Sequence, residues 1–337
     1  MKVINHADII VCPKCNGKIK ENFDHLKCND CNKNYSVDHG VPLLFIQNEW
    51  QISKNDVTDT VKSFYEKAPF PNYEELENIG DLIHKAQKGA FARLLNEQIP
   101  FNIKVLEVGC GTGQLSNFLA SAHRFVIGTD MCVNSLKLGQ KFKMENSINR
   151  VNFYQMNLFR PIFREESFPL VICIGVLHHT SDPFEGFRSI SKLVKKNGYI
   201  IIGLYNKYGR IITDMRRVFF HIFNDKLKSL DPFLRESSRG QLKKFARFED
   251  QYKHPKESKH TISEVADWFK ETGFDFVYGI PSPLAFEGFK LDDKIFKPGK
   301  LGNRFDHFMS QAWQVFTGSS EGGFFLMVGR KGDNGKR

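Results

Sequence analysis

Apolar positions along this chain follow two alternating rhythms. Short β-branched runs recur at 103–108, 124–130, 152–158, 170–177 and 197–204, as buried strands require. Around them the apolar spacing lengthens to three and four: residues 81–96 and 185–196 each place their apolar side chains on one helical face. Strands alternating with helices predict an α/β fold with a largely parallel sheet covered on both faces. Further on, Thr261-Ile-Ser-Glu264 is a capping box that opens a helix to Thr272, with Gly273 as its C-cap. Residues 274–278 and 323–329 read as two last strands, and Ile211, Ile212, Met215, Val218, Phe219 and Ile222 recur at helical spacing.

The first strand runs into Gly109-Cys-Gly111-Thr-Gly113, which opens a helix. Strand, glycine turn and helix together let backbone N–H groups approach a ligand closely. The spacing is GxGxG and not the GxGxxG of a dinucleotide site, where a pyrophosphate rests on the helix N-terminus. The second strand ends in Asp130, an acid placed to accept both hydroxyls of a ribose.

The run Glu107-Val-Gly-Cys-Gly-Thr-Gly113 resembles the first motif of the class I S-adenosylmethionine-dependent methyltransferases. The stretch ending Asn157-Leu158 looks like that family's third strand and adenine turn, with Asn157 where Asp is frequent. The string Leu170-Val-Ile-Cys-Ile-Gly-Val-Leu-His178-His179-Thr-Ser-Asp-Pro183 is similar to those of quinone-biosynthesis and other small-molecule methyltransferases, with Pro169 in place of the usual Asp. The resemblance covers residues 100–205 closely and 261–330 loosely. It implies a doubly wound, seven-stranded Rossmann-like sheet with a reversed edge strand. It also implies S-adenosylmethionine as cofactor: Glu107, Gly109, Gly111 and Gly113 at its methionine end, Asp130 at the ribose, and Asn157 with Leu158 at the adenine.

Four of the seven cysteines form two CxxC pairs, Cys12/Cys15 and Cys28/Cys31. Two such knuckles predict four thiolates around Zn²⁺, a closed and therefore structural site. The stretch after them, Tyr35-Ser-Val-Asp-His-Gly-Val-Pro-Leu-Leu-Phe45, resembles the end of zinc ribbons found beside methyltransferases, including their activator subunits. The expected organisation is a ribbon at 1–46, a helical connector or lid at 47–100, and a methyltransferase domain at 101–337. Cys110, Cys132 and Cys173 lie in apolar stretches and read as buried thiols.

Charge alters this picture at one place. The chain carries +10 overall, and residues 206–260 hold 14 basic and 7 acidic groups, a local surplus of +7. In this fold the segment after the fifth strand commonly roofs the acceptor pocket, so 205–260 reads as a substrate roof. Tyr205, Asn206, Tyr208 and Arg210 are then substrate-contact candidates, with Tyr65 from the aromatic connector. His178 or His179, beyond the fourth strand at the sheet's carboxyl edge, is the candidate general base. The expected acceptor is a small or lipid-linked and possibly anionic molecule. An RNA acceptor is the alternative, disfavoured by the neutral ribbon, and a non-catalytic cofactor-binding scaffold is the third reading. No apolar run is long enough to span a bilayer and the N-terminus lacks a signal-peptide pattern, so a cytoplasmic protein is expected.

Overall fold

A computed structural model of the chain describes residues 8–22, 25–48, 56–67, 69, 71, 73–74, 76–222, 254–288, 290, 292–317 and 323–333. The N-terminal part is a small antiparallel sheet of β1 (Ile19–Glu21), β2 (His25–Cys28), β3 (Asn34–Asp38) and β4 (Val41–Pro42). Three helices follow: α1 (Thr58–Lys67), α2 (Ile79–Lys88) and α3 (Ala90–Gln98). The single helix expected over 81–96 is thus two. Gly89 breaks it in an extended conformation (φ −84°, ψ 115°), ending α2 and starting α3 without a side-chain cap.

The main sheet takes β5 (Lys104–Val108), β6 (Phe125–Asp130), β7 (Val151–Gln155), β8 (Phe168–Ile174), β9 (Val194–Tyr205), β10 (Phe274–Ile280) and β11 (Phe324–Lys331). Their order is β10-β11-β9-β8-β5-β6-β7, and β11 is antiparallel to both of its neighbours. The reversed strand, expected at the edge, is β11, one place in from the edge that β10 occupies. At the other end of the order, α4 (Gln114–Ser121) and α5 (Val133–Glu145) connect β5, β6 and β7. Helix α6 (Pro183–Ser191) leads from β8 to β9, and α7 (Ile211–Ile222) follows β9. Helix α8 (Ile262–Glu271) precedes β10, and α9 (Arg304–Thr317) precedes β11.

Strand alternation divides the core into two layers. Leu106, Val108, Ile200 and Ile202 face one side, while Val105, Ile201 and Ile172 face the other. Pro169 has no N–H to give the ladder, and the β8–β9 register slips between Phe168 and Leu170. The capping box at Thr261/Glu264 is formed as expected.

The small sheet is built into the large one. Ile10, Leu26, Tyr35 and Leu44 share a core with Tyr154, Met156, Ile162 and Phe163. Its last strand runs on beside the free edge of β7, where the Leu44 N–H donates to the Gln155 carbonyl at 3.2 Å and Leu43 bridges Gln155 in parallel. An edge strand with unpaired backbone groups is a liability, and here the N-terminal segment covers it.

Candidate functional site

At the carboxyl ends of β5, β6 and β8 lies a cavity of about 680 Å³, within the range of small-molecule sites. Helix α1 and the start of α3 cover it, as do Tyr205 and Phe324 from the ends of β9 and β11.

Its cofactor end is the glycine loop. Gly109 and Gly113 sit at φ 70° and 72°, a conformation that favours glycine. A Cβ on Gly109 would meet the Val176 side chain at 2.2 Å, and one on Gly113 would meet the Phe153 ring at 2.4 Å. Asp130 straps the loop to the second strand: its Oδ2 accepts from the Gly111 N–H at 2.9 Å and its Oδ1 from the Cys132 N–H at 2.8 Å. Tyr73 braces the same loop from the connector, donating to the Thr112 carbonyl at 2.9 Å while accepting from Asn117 at 2.8 Å. Helix α1 is held over the site by Glu66, whose carboxylate accepts from the Val133 and Asn134 N–H groups at the start of α5.

Two acids meet in this cavity, Glu107, which is buried, and Asp130, which is partly buried. Burial pushes Glu107 up to about 7, the Ser116 hydroxyl that it accepts from pulls the other way, and the nearby Asp130 carboxylate adds to the rise. Burial likewise raises Asp130, against its backbone hydrogen bonds. Among the described residues neither forms an ion pair with a cation. Two such acids without a counter-ion are costly unless a ligand brings positive charge. S-adenosylmethionine, a sulfonium with an ammonium group, meets that need, and a phosphate-bearing nucleotide does not.

The other end of the cavity is aromatic. His178 lies between the rings of His179 and Tyr205, each 4.2 Å away, and neither of its ring nitrogens has a hydrogen-bond partner among the described residues. His179 is placed differently. Its Nδ1 lies 2.7 Å from the Lys256 carbonyl and its ring packs 3.6 Å from that of His254. A carbonyl can only accept, so His179 carries its proton on Nδ1 and a lone pair on Nε2. Burial first, then neighbouring histidines, hold both His178 and His179 well below the usual imidazole range, so both are neutral at pH 7.

Among the residues expected at the cofactor, Glu107, Gly109, Gly111, Asp130, Asn157 and Leu158 line the cavity. Gly113 stands behind it, where the loop turns into α4. Asn157 is partly occupied elsewhere: its amide donates to the Ile46 carbonyl at 2.8 Å and to Asn48 Oδ1 at 2.7 Å, tying the end of the N-terminal segment to this turn. Of the expected acceptor-side residues, His178, His179, Tyr65 and Tyr205 line the cavity.

Asn206, Tyr208 and Arg210, also expected on the acceptor side, are not among its lining residues. Asn206 is fully buried, with its Oδ1 accepting from the Tyr208 and Gly209 N–H groups and its amide donating to Gln311. Tyr208 packs edge-on against Phe308. Arg210, also fully buried, grips Glu257. All three hold the turn between β9 and α7. On α7 itself, Ile211, Met215 and Val218 point outward rather than forming an apolar ceiling. Residues 223–253 of the expected roof lie outside the described residues. Sequence reasoning missed Val61, Phe91 and Phe324 as lining residues. They are lone apolar positions on separate elements, without a local motif to mark them.

The second cluster is the four cysteines. The sulfurs of Cys12, Cys15, Cys28 and Cys31 all lie within 4.8 Å of one another, with Cys12–Cys31 at 3.7 Å and Cys15–Cys28 at 3.5 Å. A zinc–sulfur bond of about 2.3 Å in a tetrahedron sets sulfurs roughly 3.8 Å apart, so the cage suits that ion. Asn16 and Asn32, at φ 59° and 56°, form the left-handed turn after each knuckle. Cys110, Cys132 and Cys173 are buried as expected, and Cys132 caps α5.

A family model described as "Methyltransferase domain" matches residues 106–202. A ubiquinone biosynthesis O-methyltransferase from Haemophilus ducreyi is 31% identical over 112 residues, 32% of this chain and 47% of that protein. The chain spans about half the length of the curated relatives that it matches. The structure of magnesium protoporphyrin IX methyltransferase from Synechocystis PCC 6803 with bound SAM aligns at a TM-score of 0.46 and 13% identity, covering 82% of this chain and 97% of that one. PKMT2 from Rickettsia typhi aligns at 0.48 and 16% identity, covering 72% and 52%. The family match over residues 106–202 agrees with the glycine loop, Asp130 and the strand order, all of which fit a class I S-adenosylmethionine-dependent methyltransferase core.

Proposed function

We propose that this protein transfers a methyl group from S-adenosylmethionine to a small or lipid-linked acceptor, with His179 as general base. The observation that carries the reading is a single cavity with two uncompensated acids at one end and a neutral imidazole lone pair at the other. When bound, the sulfonium supplies an already activated methyl group. Glu107 and Asp130 bind and orient the cation, and the covering helices α1 and α3 exclude water. His179 Nε2 accepts the proton that the acceptor gives up. His178, with both nitrogens unpartnered, is free to hydrogen-bond the acceptor.

The apolar walls of the cavity support a compact or lipid-linked acceptor over a polyanionic strand. The Cys12, Cys15, Cys28 and Cys31 cage would hold Zn²⁺ in a structural role, its four thiolates leaving no open position. The test is transfer of labelled methyl to fractionated lysate, with Asp130→Ala as control. Label is expected in small-molecule or lipid fractions and about 100-fold less with the variant, since it loses the charged acceptor for hydrogen bonds that the ribose hydroxyls donate. Label in RNA instead would overturn the acceptor class, and equal label with the variant would overturn the enzyme reading.

A further inference from the structure

Segment 254–260 crosses directly beneath the two histidines of the cavity. The Ser258 N–H and hydroxyl both donate to the His178 carbonyl, at 2.8 and 3.1 Å. The His260 N–H donates to the Tyr205 carbonyl at 2.9 Å, and the Lys207 N–H returns to the His260 carbonyl at 2.9 Å. At its centre the Lys256 carbonyl accepts from Nδ1 of His179 at 2.7 Å and contacts Nδ1 of His254 at 2.6 Å.

The residue after that carbonyl is Glu257, whose side chain is 2% exposed and is gripped from two sides. Arg210 Nε and Nη2 donate to its two oxygens at 3.2 and 2.7 Å, and Arg217 Nη2 donates at 2.8 Å. Arg210 has no exposed side-chain surface, and its guanidinium lies 3.8 Å from the centre of the Tyr205 ring, which packs on His178. A bidentate buried pair fixes direction as well as distance. One charge left alone in such a place is far costlier than the pair, so the pair restrains the backbone on either side of Glu257.

We propose that the Arg210–Glu257 pair is a positioning device for His179: it locks segment 254–260 so that the Lys256 carbonyl keeps the proton on Nδ1 and the lone pair of Nε2 toward the acceptor. The inference rests on the methyltransferase reading with His179 as base. Neither Arg210 nor Glu257 lines the cavity, so both act through the imidazole and not on substrate.

The test is direct observation of the His179 tautomer in the full chain labelled with ¹⁵N-histidine, its signals assigned by comparison with His179→Gln. The unaltered protein is expected to show His179 protonated on Nδ1, and Glu257→Gln to show a mixture of tautomers. Under the same substitution kcat should fall about tenfold or more, as for a misplaced general base, while the KM for S-adenosylmethionine holds within about twofold. Glu257→Asp, which keeps the charge, should recover part of the loss. Should Glu257→Gln fail to fold, the double variant Arg210→Met/Glu257→Leu removes both fully buried charges together and leaves the partly exposed Arg217 to Asp214, and the same tautomer change is expected there.

A His179 that stays on Nδ1 in the variants, or a kcat that falls only with the folded fraction, overturns the inference. The tautomer measurement needs no turnover. A protein that shows the expected tautomer shift yet transfers no methyl group would therefore break the enzyme reading and leave the positioning role standing.

Discussion

The two ends of the cavity are built in different ways. The cofactor end comes almost entirely from neighbours in sequence: Glu107, the glycine loop and Asp130 lie on two adjacent parallel strands and the turns that leave them. The acceptor end is assembled from afar, with Tyr65 on α1, His178 and His179 after β8, Tyr205 at the end of β9, Phe324 on β11, and His179 held by Lys256. A local site can be kept by a short motif, whereas a dispersed one depends on the packing of every element that brings it a side chain. Binding a common cofactor and choosing a particular acceptor thus fall to parts of the fold with different tolerance for change.

Removing the metal from the cysteine cage tests whether the cofactor end is as self-sufficient as its local build implies. Structural zinc contributes on the order of 10 kcal/mol in small modules, so a strong chelator should sharply lower the melting temperature of the N-terminal sheet. Because Ile46 and Asn48 hold the Asn157 amide, affinity for S-adenosylhomocysteine in calorimetry should drop as well. Unchanged affinity would mean that the cofactor end stands without the ribbon.

His179→Gln is the converse test, aimed at the acceptor end alone. Loss of a general base should lower kcat by about 100-fold or more, with cofactor affinity unaltered. A parallel loss of cofactor binding would show that the two ends are one unit.

A smaller effect belongs to Glu107. Its carboxyl is raised from 4.5 to about 7 in the folded protein, so the folded state holds a proton that the unfolded chain releases. Without cofactor, stability should therefore fall as pH rises from about 4.5 to 7, by roughly 3 kcal/mol. Urea midpoints at pH 5 and pH 8 measure it, and Glu107→Gln should flatten the slope. Smallest is Asn48→Ala, which removes the hydrogen bond from Asn157 and the two that Asn48 donates to Asp56 and Thr58, and should cost about 1–2 kcal/mol of stability.

Legibility in the sequence follows the same division. The parallel strands, the glycine loop, Asp130 and the four-cysteine cage were readable because each is set by residues close in the chain or by one repeated spacing. The two-helix break at Gly89 was not, since a lone glycine within a helical pattern is often tolerated. Arg210 looked like a substrate contact because a basic residue past a strand end is a reasonable anion partner. Its role was decided by Glu257, whose distance along the chain no pattern spans.

By itself, then, the amino-acid order determined which segments become strands, where the glycine turn falls, and which thiols meet. Those are consequences of backbone periodicity, glycine freedom and ligand spacing. Tertiary structure alone decided that the N-terminal sheet caps the free edge of β7, that the His179 ring meets the Lys256 carbonyl while His178 has no partner among the described residues, and that Arg210 pairs with Glu257 outside the cavity lining. Each of these depends on a hydrogen bond or a burial between segments far apart in the chain, and such pairings exist only once the core has packed.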